Sequence, residues 1–182
     1  MNNQQKQTPL QPLLQTDYQA VIPVAFDAIK YSDIEERAKQ EGFKRNKDFH
    51  ITVIGFEGAD AIKKTLAKLN QPGREILIKK IQDLLQSLNW SFKLSQRYHI
   101  KKSGQFSEKI SITEDREAYI QLLYLPAMEK FYNKLNSLLG TKLPTQISHV
   151  TLFTKGERKN PDYCGIPIPS KDEFESMDPK LI

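Results

Sequence analysis

Short apolar runs and stretches of alternating apolar and polar residues predict β-strands at several places along the chain. The clearest are AVIPVAF from residue 20, DFHITVIGF from residue 48 and QISHVTLFTKG from residue 146. Pro23 has no amide hydrogen, so it predicts an edge or a bulge for the first run. WSFKLSQRYHI, from residue 90, alternates as a half-buried strand does. EKISIT from residue 108 and AYIQLLYL from residue 118 suggest two more strands, although the second also fits a helix.

Apolar residues spaced at every third or fourth position predict four helices. Ser32 and Glu35 form a capping-box pattern at the start of the first helix, and Gly42 marks its end. ADAIKKTLAKL and GREILIKKIQDLLQSL predict two amphipathic helices. The breaks between these two helices fall at Asn70, Pro72 and Gly73. Pro126 suits the first turn of the fourth helix, which ends at Gly140.

This order of elements predicts an α+β protein with antiparallel sheets, because helices and strands alternate irregularly along the chain. The 182 residues are enough for one domain or for two small lobes that share a core. Residues 1–16 are rich in Gln, Asn and Pro and predict a poorly ordered tail. We therefore expect a single domain over residues 17–182, with an irregular C-terminal segment from about residue 157.

Composition narrows the class of protein and its partners. Hydrophobic residues make up 38% of the chain and charged residues 27%, as in an ordinary globular protein. No apolar run approaches the roughly 18 residues that cross a bilayer, and the N-terminus lacks a secretory signal pattern, so we expect a cytoplasmic protein. The single cysteine, Cys164, excludes an intrachain disulfide framework and a cysteine-based zinc site. The net charge of +5 favours a polyanionic partner such as nucleic acid, or reflects a solvated basic surface.

Two of the three histidines stand two residues before a threonine, within predicted strands. They are His50 with Thr52 in FHITVIGF, and His149 with Thr151 in SHVTLF. Residues two apart in a strand lie on one face, about 7 Å apart, so each strand presents an imidazole and a hydroxyl together. The hydroxyl can donate to a phosphate oxygen while the imidazole exchanges a proton. A single copy fits a histidine and a threonine in mutual contact, whereas the repeated pattern favours a shared chemical role.

The motifs HITV at His50 and HVTL at His149 resemble the signature of the two-histidine (2H) phosphoesterases. This superfamily includes bacterial RNA 2′,3′-cyclic phosphodiesterases, often labelled 2′-5′ RNA ligases, and 2′,5′-oligoadenylate-degrading enzymes. The resemblance implies two pseudo-symmetric lobes, each an antiparallel sheet flanked by helices, with one motif per lobe facing a central cleft. The order of elements agrees over roughly residues 18–160. HITVIGF departs from the bacterial cyclic phosphodiesterases in lacking an arginine just after the first motif.

The resemblance also implies an activity and roles for four residues. The activity is a metal-independent phosphodiesterase, without a cofactor, that acts on RNA ends, oligonucleotides or cyclic nucleotides with a 2′,3′-cyclic phosphate or a 2′,5′ linkage. His50 is then the general acid toward the leaving ribose oxygen, and His149 is the base that activates water. The two roles exchange if a ribose hydroxyl is the nucleophile. Thr52 and Thr151 bind the phosphate, and we expect the chain to act as a monomer.

Four further residues are candidates for substrate contact, and other functions stay open. Lys155 and Arg158 follow the second motif and offer positive charge, while Tyr163 and Phe153 offer rings for stacking. Strand alternation places Phe153 on the same face as His149, where it would wall the site or pack in the core. The alternative function is a non-catalytic RNA- or nucleotide-binding module on the same fold. A third reading is an interaction protein that uses its helical faces and its tail.

Overall fold

Two antiparallel sheets and the helices that flank them make up the fold of this computed structural model, which describes residues 11–106, 113–158 and 164–182. The smaller sheet has the order β1 (Leu13–Leu14), β2 (Ala20–Val24) and β4 (Phe49–Ile54). The larger sheet has the order β3 (Lys44–Arg45), β7 (His149–Lys155), β6 (Glu114–Tyr124), β5 (Lys93–Gly104) and β8 (Lys180–Leu181). The helices are α1 (Ser32–Gln40), α2 (Phe56–Ala67), α3 (Gln71–Ser87), α4 (Pro126–Leu139) and α5 (Lys171–Ser176). The prediction of an α+β protein with antiparallel sheets is confirmed.

The main hydrophobic core packs helices α2, α3 and α4 against one face of the motif strands. Ile51 and Val150, the residues between histidine and threonine in the two motifs, are fully buried in this core. Trp90 anchors the core from the segment before β5, where its ring contacts Phe131 and its Nε1 donates to the Leu85 carbonyl at 2.7 Å. Because alternate residues of a strand point to opposite faces, the buried residues turn the histidine and threonine of each motif away from the core.

A smaller hydrophobic cluster covers the other face of the larger sheet. Its buried members come from β5, β6 and the C-terminal segment: Ile100, Ala118, Ile120, Ile166, Ile168 and Met177. The Ile147 amide donates to the Ile168 carbonyl at 3.3 Å, which ties the C-terminal segment to the residues just before β7. The segment expected to be irregular therefore contains helix α5 and strand β8, and it packs on the sheet.

Several local predictions are confirmed, and others are wrong in detail. AYIQLLYL forms part of β6 and is a strand rather than a helix. Pro23 lies beyond the short pairing with β1, so its side of β2 has no neighbouring strand in the described sheet. The prediction of a capping box at Ser32 is wrong, because Tyr31 is the N-cap of α1 and Ser32 already belongs to the helix.

The remaining differences concern strand boundaries and the tail. WSFKLSQRYHI enters the sheet only at Lys93, and Leu94 is exposed, whereas the alternation predicted a half-buried face. A bulge at residues 95 and 96 interrupts the pairing of β5 with β6 there. EKISIT lies, apart from Thr113, outside the described residues. Within the expected tail, Leu13–Leu14 pair with β2, and residues 1–10 lie outside the described part of the chain.

No helix among the described residues combines the length and the apolar character that a membrane span requires.

Candidate active site

Each motif strand pairs antiparallel with a strand that precedes it in the chain, and a helix lies between the two. Strand β2 is followed by a short 3-10 helix (Phe26–Ala28), by α1, by β3 of the larger sheet and then by β4, which pairs antiparallel with β2. Strand β6 is followed by α4 and then by β7, which pairs antiparallel with β6. The residues opposite the motif side chains are apolar: Pro23 faces His50, Val21 faces Thr52, Leu122 faces His149 and Ile120 faces Thr151. The similarity between the two motifs therefore includes the apolar residues that face them on the neighbouring strands.

The two motif strands also share a β-bulge at the same position. Ala20 and Val21 of β2 pair with Ile54 and Thr52, which leaves Val53 as an extra residue. Tyr119 and Ile120 of β6 pair in the same way with Phe153 and Thr151, which leaves Leu152 as an extra residue. Each bulge directly follows the motif threonine, and a bulge bends a strand and resets its alternation. Both residues after each threonine are consequently buried, which alternation alone does not produce.

The bulge at Leu152 changes the position of one candidate contact residue. Strand alternation predicted that Phe153 shares a face with His149 and Thr151. The extra residue turns Phe153 to the opposite face, where it is 1% exposed and belongs to the main core. Its ring lies 6.0 Å from the Tyr31 ring. Phe153 is therefore a core residue and does not wall the site.

The other three candidate contacts lie elsewhere. Lys155 pairs with Glu117 on the face that carries Phe153, and its Nζ is 3.8 Å from the Glu117 Oε1. Arg158 donates from Nη2 to the Glu114 Oε1 at 2.6 Å. The hydrogen bond from Arg158, together with a smaller effect of Arg116, holds the pKa of Glu114 below its ordinary value. The structure thus engages both cations with carboxylates rather than with the motif face. Tyr163 lies outside the described residues.

His149 is buried and held as a neutral imidazole. Only 8% of the residue is exposed, and its Nδ1 lies 2.9 Å from the Ile147 carbonyl oxygen. A carbonyl oxygen only accepts, so Nδ1 carries the hydrogen and Nε2 keeps its lone pair in the neutral ring. Burial lowers the pKa of His149 to about 4, against a smaller opposing effect of the Ile147 hydrogen bond. The charge of His50 adds to the lowering, so the two histidines interact electrostatically.

His50 and Thr52 line an open groove of about 540 Å³ on the smaller sheet. His50 is exposed and Thr52 is half-buried. The groove is also lined by residues from before, within and after β2 and from the start of β4: Gln15, Gln19, Val21, Pro23, Val24, Phe26, Asp48 and Phe49. Within the described ranges, neither the Thr52 nor the Thr151 hydroxyl makes a side-chain hydrogen bond. Both hydroxyls therefore keep their capacity to donate a hydrogen bond.

Gln146 connects the two motif strands and had no signal in the sequence. It is buried three residues before His149, and its Nε2 donates to the Thr52 carbonyl oxygen at 3.3 Å. The Tyr132 hydroxyl of α4 donates to the Gln146 Oε1, also at 3.3 Å. Burial raises the pKa of Tyr132, so this hydroxyl remains a donor. The Gln146 side chain thus links β4 to the segment that enters β7.

Burial of His149 predicts a pH-dependent loss of stability. The unfolded chain protonates this histidine near its ordinary pKa of 6.5, whereas the folded protein does so only near 4. As the pH falls from 7 to 5, protons bind preferentially to the unfolded state, and the free energy of unfolding decreases by about 2 kcal/mol through this residue. Urea unfolding at both pH values should show a smaller decrease for His149→Gln than for the wild type. Equal pH dependence in the wild type and His149→Gln would contradict the burial of a neutral imidazole.

The described residues contain no group of three or more His, Cys, Asp or Glu side chains arranged to hold a metal ion. Comparison of the chain with protein-family models, with curated proteins and with solved structures yields no match. A function for this chain is therefore inferred from the two motif strands and their surroundings.

Proposed function

We propose that this chain is a metal-independent phosphodiesterase that acts on RNA ends or oligonucleotides through paired histidines. Its substrates carry a 2′,3′-cyclic phosphate or a 2′,5′ linkage. The observation that supports this proposal is the recurrence of one imidazole, one hydroxyl and one following bulge on each of two strands, β4 and β7. These two strands lie next to each other without sharing a hydrogen-bonded ladder. In this proposal each motif belongs to one of two pseudo-symmetric lobes, and both face a single cleft.

The environments of the two histidines support one order of proton transfer. His149 is neutral near pH 7 and has a free lone pair on Nε2, so it takes a proton from water as the water oxygen attacks phosphorus. The bond between phosphorus and the ribose oxygen then breaks, and His50 gives a proton to that oxygen. His50 suits this role because it is exposed to solvent in the groove. The Thr52 and Thr151 hydroxyls donate to the non-bridging oxygens.

The proposed activity is tested with three substrates in the presence of a chelator. The purified protein is incubated with a 2′,3′-cyclic nucleotide, a 2′,5′-linked oligoadenylate and a short oligouridylate, and products are separated by chromatography. We expect turnover of at least one substrate that persists with the chelator. Binding of these compounds without turnover of any of them would favour a non-catalytic binding module. In the proposal the protein works as a monomer in the cytoplasm, which size-exclusion chromatography and localisation of a tagged chain check.

A further inference from the structure

Two aromatic residues, Phe26 and Phe49, line the groove beside the first motif, and of the two Phe26 is the exposed one. Phe26 begins a short 3-10 helix (Phe26–Ala28) directly after β2, and it lines the groove together with His50 and Thr52. The residue is 40% exposed, although large apolar side chains are usually buried more completely. An aromatic ring in a groove offers a flat surface on which a nucleobase stacks without regard to its identity. The position of this ring therefore calls for a functional account.

Neighbouring side chains hold the Phe26 ring in place. The planes of the Phe26 and Phe49 rings are inclined by 62°, with centroids 4.6 Å apart. The Arg45 guanidinium lies over both the Phe26 and Tyr31 rings, with its central carbon 5.4 Å and 5.7 Å from their centroids. Arg45 is itself held by a hydrogen bond from Nη1 to the Tyr31 hydroxyl at 2.9 Å. The ring is thus pre-organised, and a positive charge that favours phosphate lies next to it.

The corresponding face beside the second motif is covered. Ile120 and Leu122, which lie opposite Thr151 and His149, belong to or pack on the smaller hydrophobic cluster. The C-terminal segment supplies Ile166 and Ile168 to that cluster. A nucleoside attached to a phosphate between the motifs therefore has room on the side of β2 and β4, where the groove is open. The groove volume also falls within the range of roughly 300–1,000 Å³ found for small-ligand sites.

We infer that the Phe26 ring is the stacking platform for the nucleobase of the substrate. This inference rests on the proposed function and adds the place of the nucleobase, which is bound on the His50 side. Gln15, which lines the same groove, offers an amide group to the polar edge of the base, whereas the Gln19 Nε2 donates to the Asp17 Oδ2 at 2.6 Å. Stacking on one ring is sequence-tolerant, so we expect little preference among the four bases.

Binding measurements test the platform without requiring turnover. Adenosine 5′-monophosphate, uridine 5′-monophosphate and inorganic phosphate are titrated into the wild type, Phe26→Leu, Phe26→Ala and Phe26→Trp. Phe26→Leu keeps an apolar contact with Phe49 and removes only the aromatic ring, so it tests stacking even if Phe26→Ala is less stable. We expect both truncated variants to lose roughly 10- to 100-fold in affinity for the nucleotides and none for phosphate, and Phe26→Trp to bind at least as tightly as the wild type. Phe56→Ala is the matched control, because Phe56 is 71% exposed and does not line the groove.

The outcomes separate the platform from the phosphodiesterase activity. If nucleotide binding depends on Phe26 but the protein turns over no substrate, the result would support the stacking role of Phe26 and contradict the phosphodiesterase activity. Turnover of a cyclic nucleotide with equal kcat/KM in the wild type and Phe26→Leu would keep the activity and reject the platform. A wild type that binds neither nucleotide, or an equal loss of affinity for nucleotides and phosphate, would also reject the platform.

Discussion

Replacing either His50 or His149 with glutamine is expected to lower turnover of the cyclic-phosphate substrate by roughly 10²- to 10⁴-fold. Without His149 no group takes the proton of the attacking water, and without His50 the ribose oxygen leaves as an unprotonated alkoxide. Because the two groups act in one reaction, the double variant should be little slower than the worse of the two single variants. Steady-state kinetics in the presence of a chelator measure all three.

The third histidine supplies a matched control for this experiment. His99 lies in β5 with its Nε2 2.8 Å from the Glu117 carboxylate, and its ring contacts Phe43 and Tyr119. His99→Gln should leave turnover unchanged, which separates loss of a motif imidazole from loss of any imidazole. Circular dichroism confirms that each variant is folded. Near-wild-type turnover by either motif variant on every active substrate would contradict the paired-histidine mechanism.

Gly55→Ala is expected to reduce turnover by roughly 10- to 100-fold while leaving the protein folded. A Cβ atom at this position would lie 2.9 Å from the Gln146 Oε1, closer than such atoms approach in proteins, so the Gln146 side chain must move. Gln146 then shifts from its hydrogen bond to the Thr52 carbonyl oxygen, which is one of the contacts between β4 and the segment that enters β7. A displacement of about 1 Å between reacting groups costs on the order of 10²-fold in rate. Kinetics and urea unfolding of the variant measure the two effects separately.

Variants of Gln146 and Tyr132 test whether the loss of turnover results from the broken hydrogen bonds of Gln146. Gln146→Met keeps the length of the side chain and removes both hydrogen bonds, whereas Tyr132→Phe removes only the bond from α4. We expect Gln146→Met to reproduce the kinetic loss and Tyr132→Phe to show a smaller one. Gly165→Ala is the control, because a Cβ there meets no atom within 4 Å. If Gln146→Met keeps wild-type turnover, then Gln146 does not position the motifs.

Local patterns were sufficient for the elements and for the motif face, because these depend on nearest neighbours along the chain. The periodicity of AMEKFYNKLNSLL and the proline before it predicted α4, which runs over Pro126–Leu139. The alternation in HITV correctly predicted that Ile51 is buried while His50 and Thr52 face away from the core. The same reasoning failed at Phe153, because it continued the alternation past the threonine. An extra apolar residue in an apolar run leaves no trace in composition, so neither bulge was visible in the sequence.

Contacts between distant residues account for most of the other differences. Arg158 was expected at a phosphate, and it meets Glu114, which lies 44 residues earlier in the chain. The C-terminal segment was expected to be irregular, and Leu181 pairs with Tyr98 of β5. Gln146 and Phe26 are ordinary residues in their local context and acquire a role only through the strands that they approach. Such roles depend on tertiary structure, which single-sequence patterns do not encode.

The paired bulges divide each motif strand into a part that carries the histidine and threonine and a part that packs in the core. Before the bulge, the exposed face meets the proposed substrate, and the residues opposite it in β2, Val21 and Pro23, contribute little to the core. The two residues after each motif threonine, Val53 and Ile54 in β4 and Leu152 and Phe153 in β7, are buried in the core, where a change of even one methylene alters packing. A library that varies residues 21 and 23 should therefore alter substrate range at small cost in stability. Insertion or deletion at Val53 or Leu152 would change the alternation after the bulge and turn Ile54 or Phe153 from the core toward the motif face.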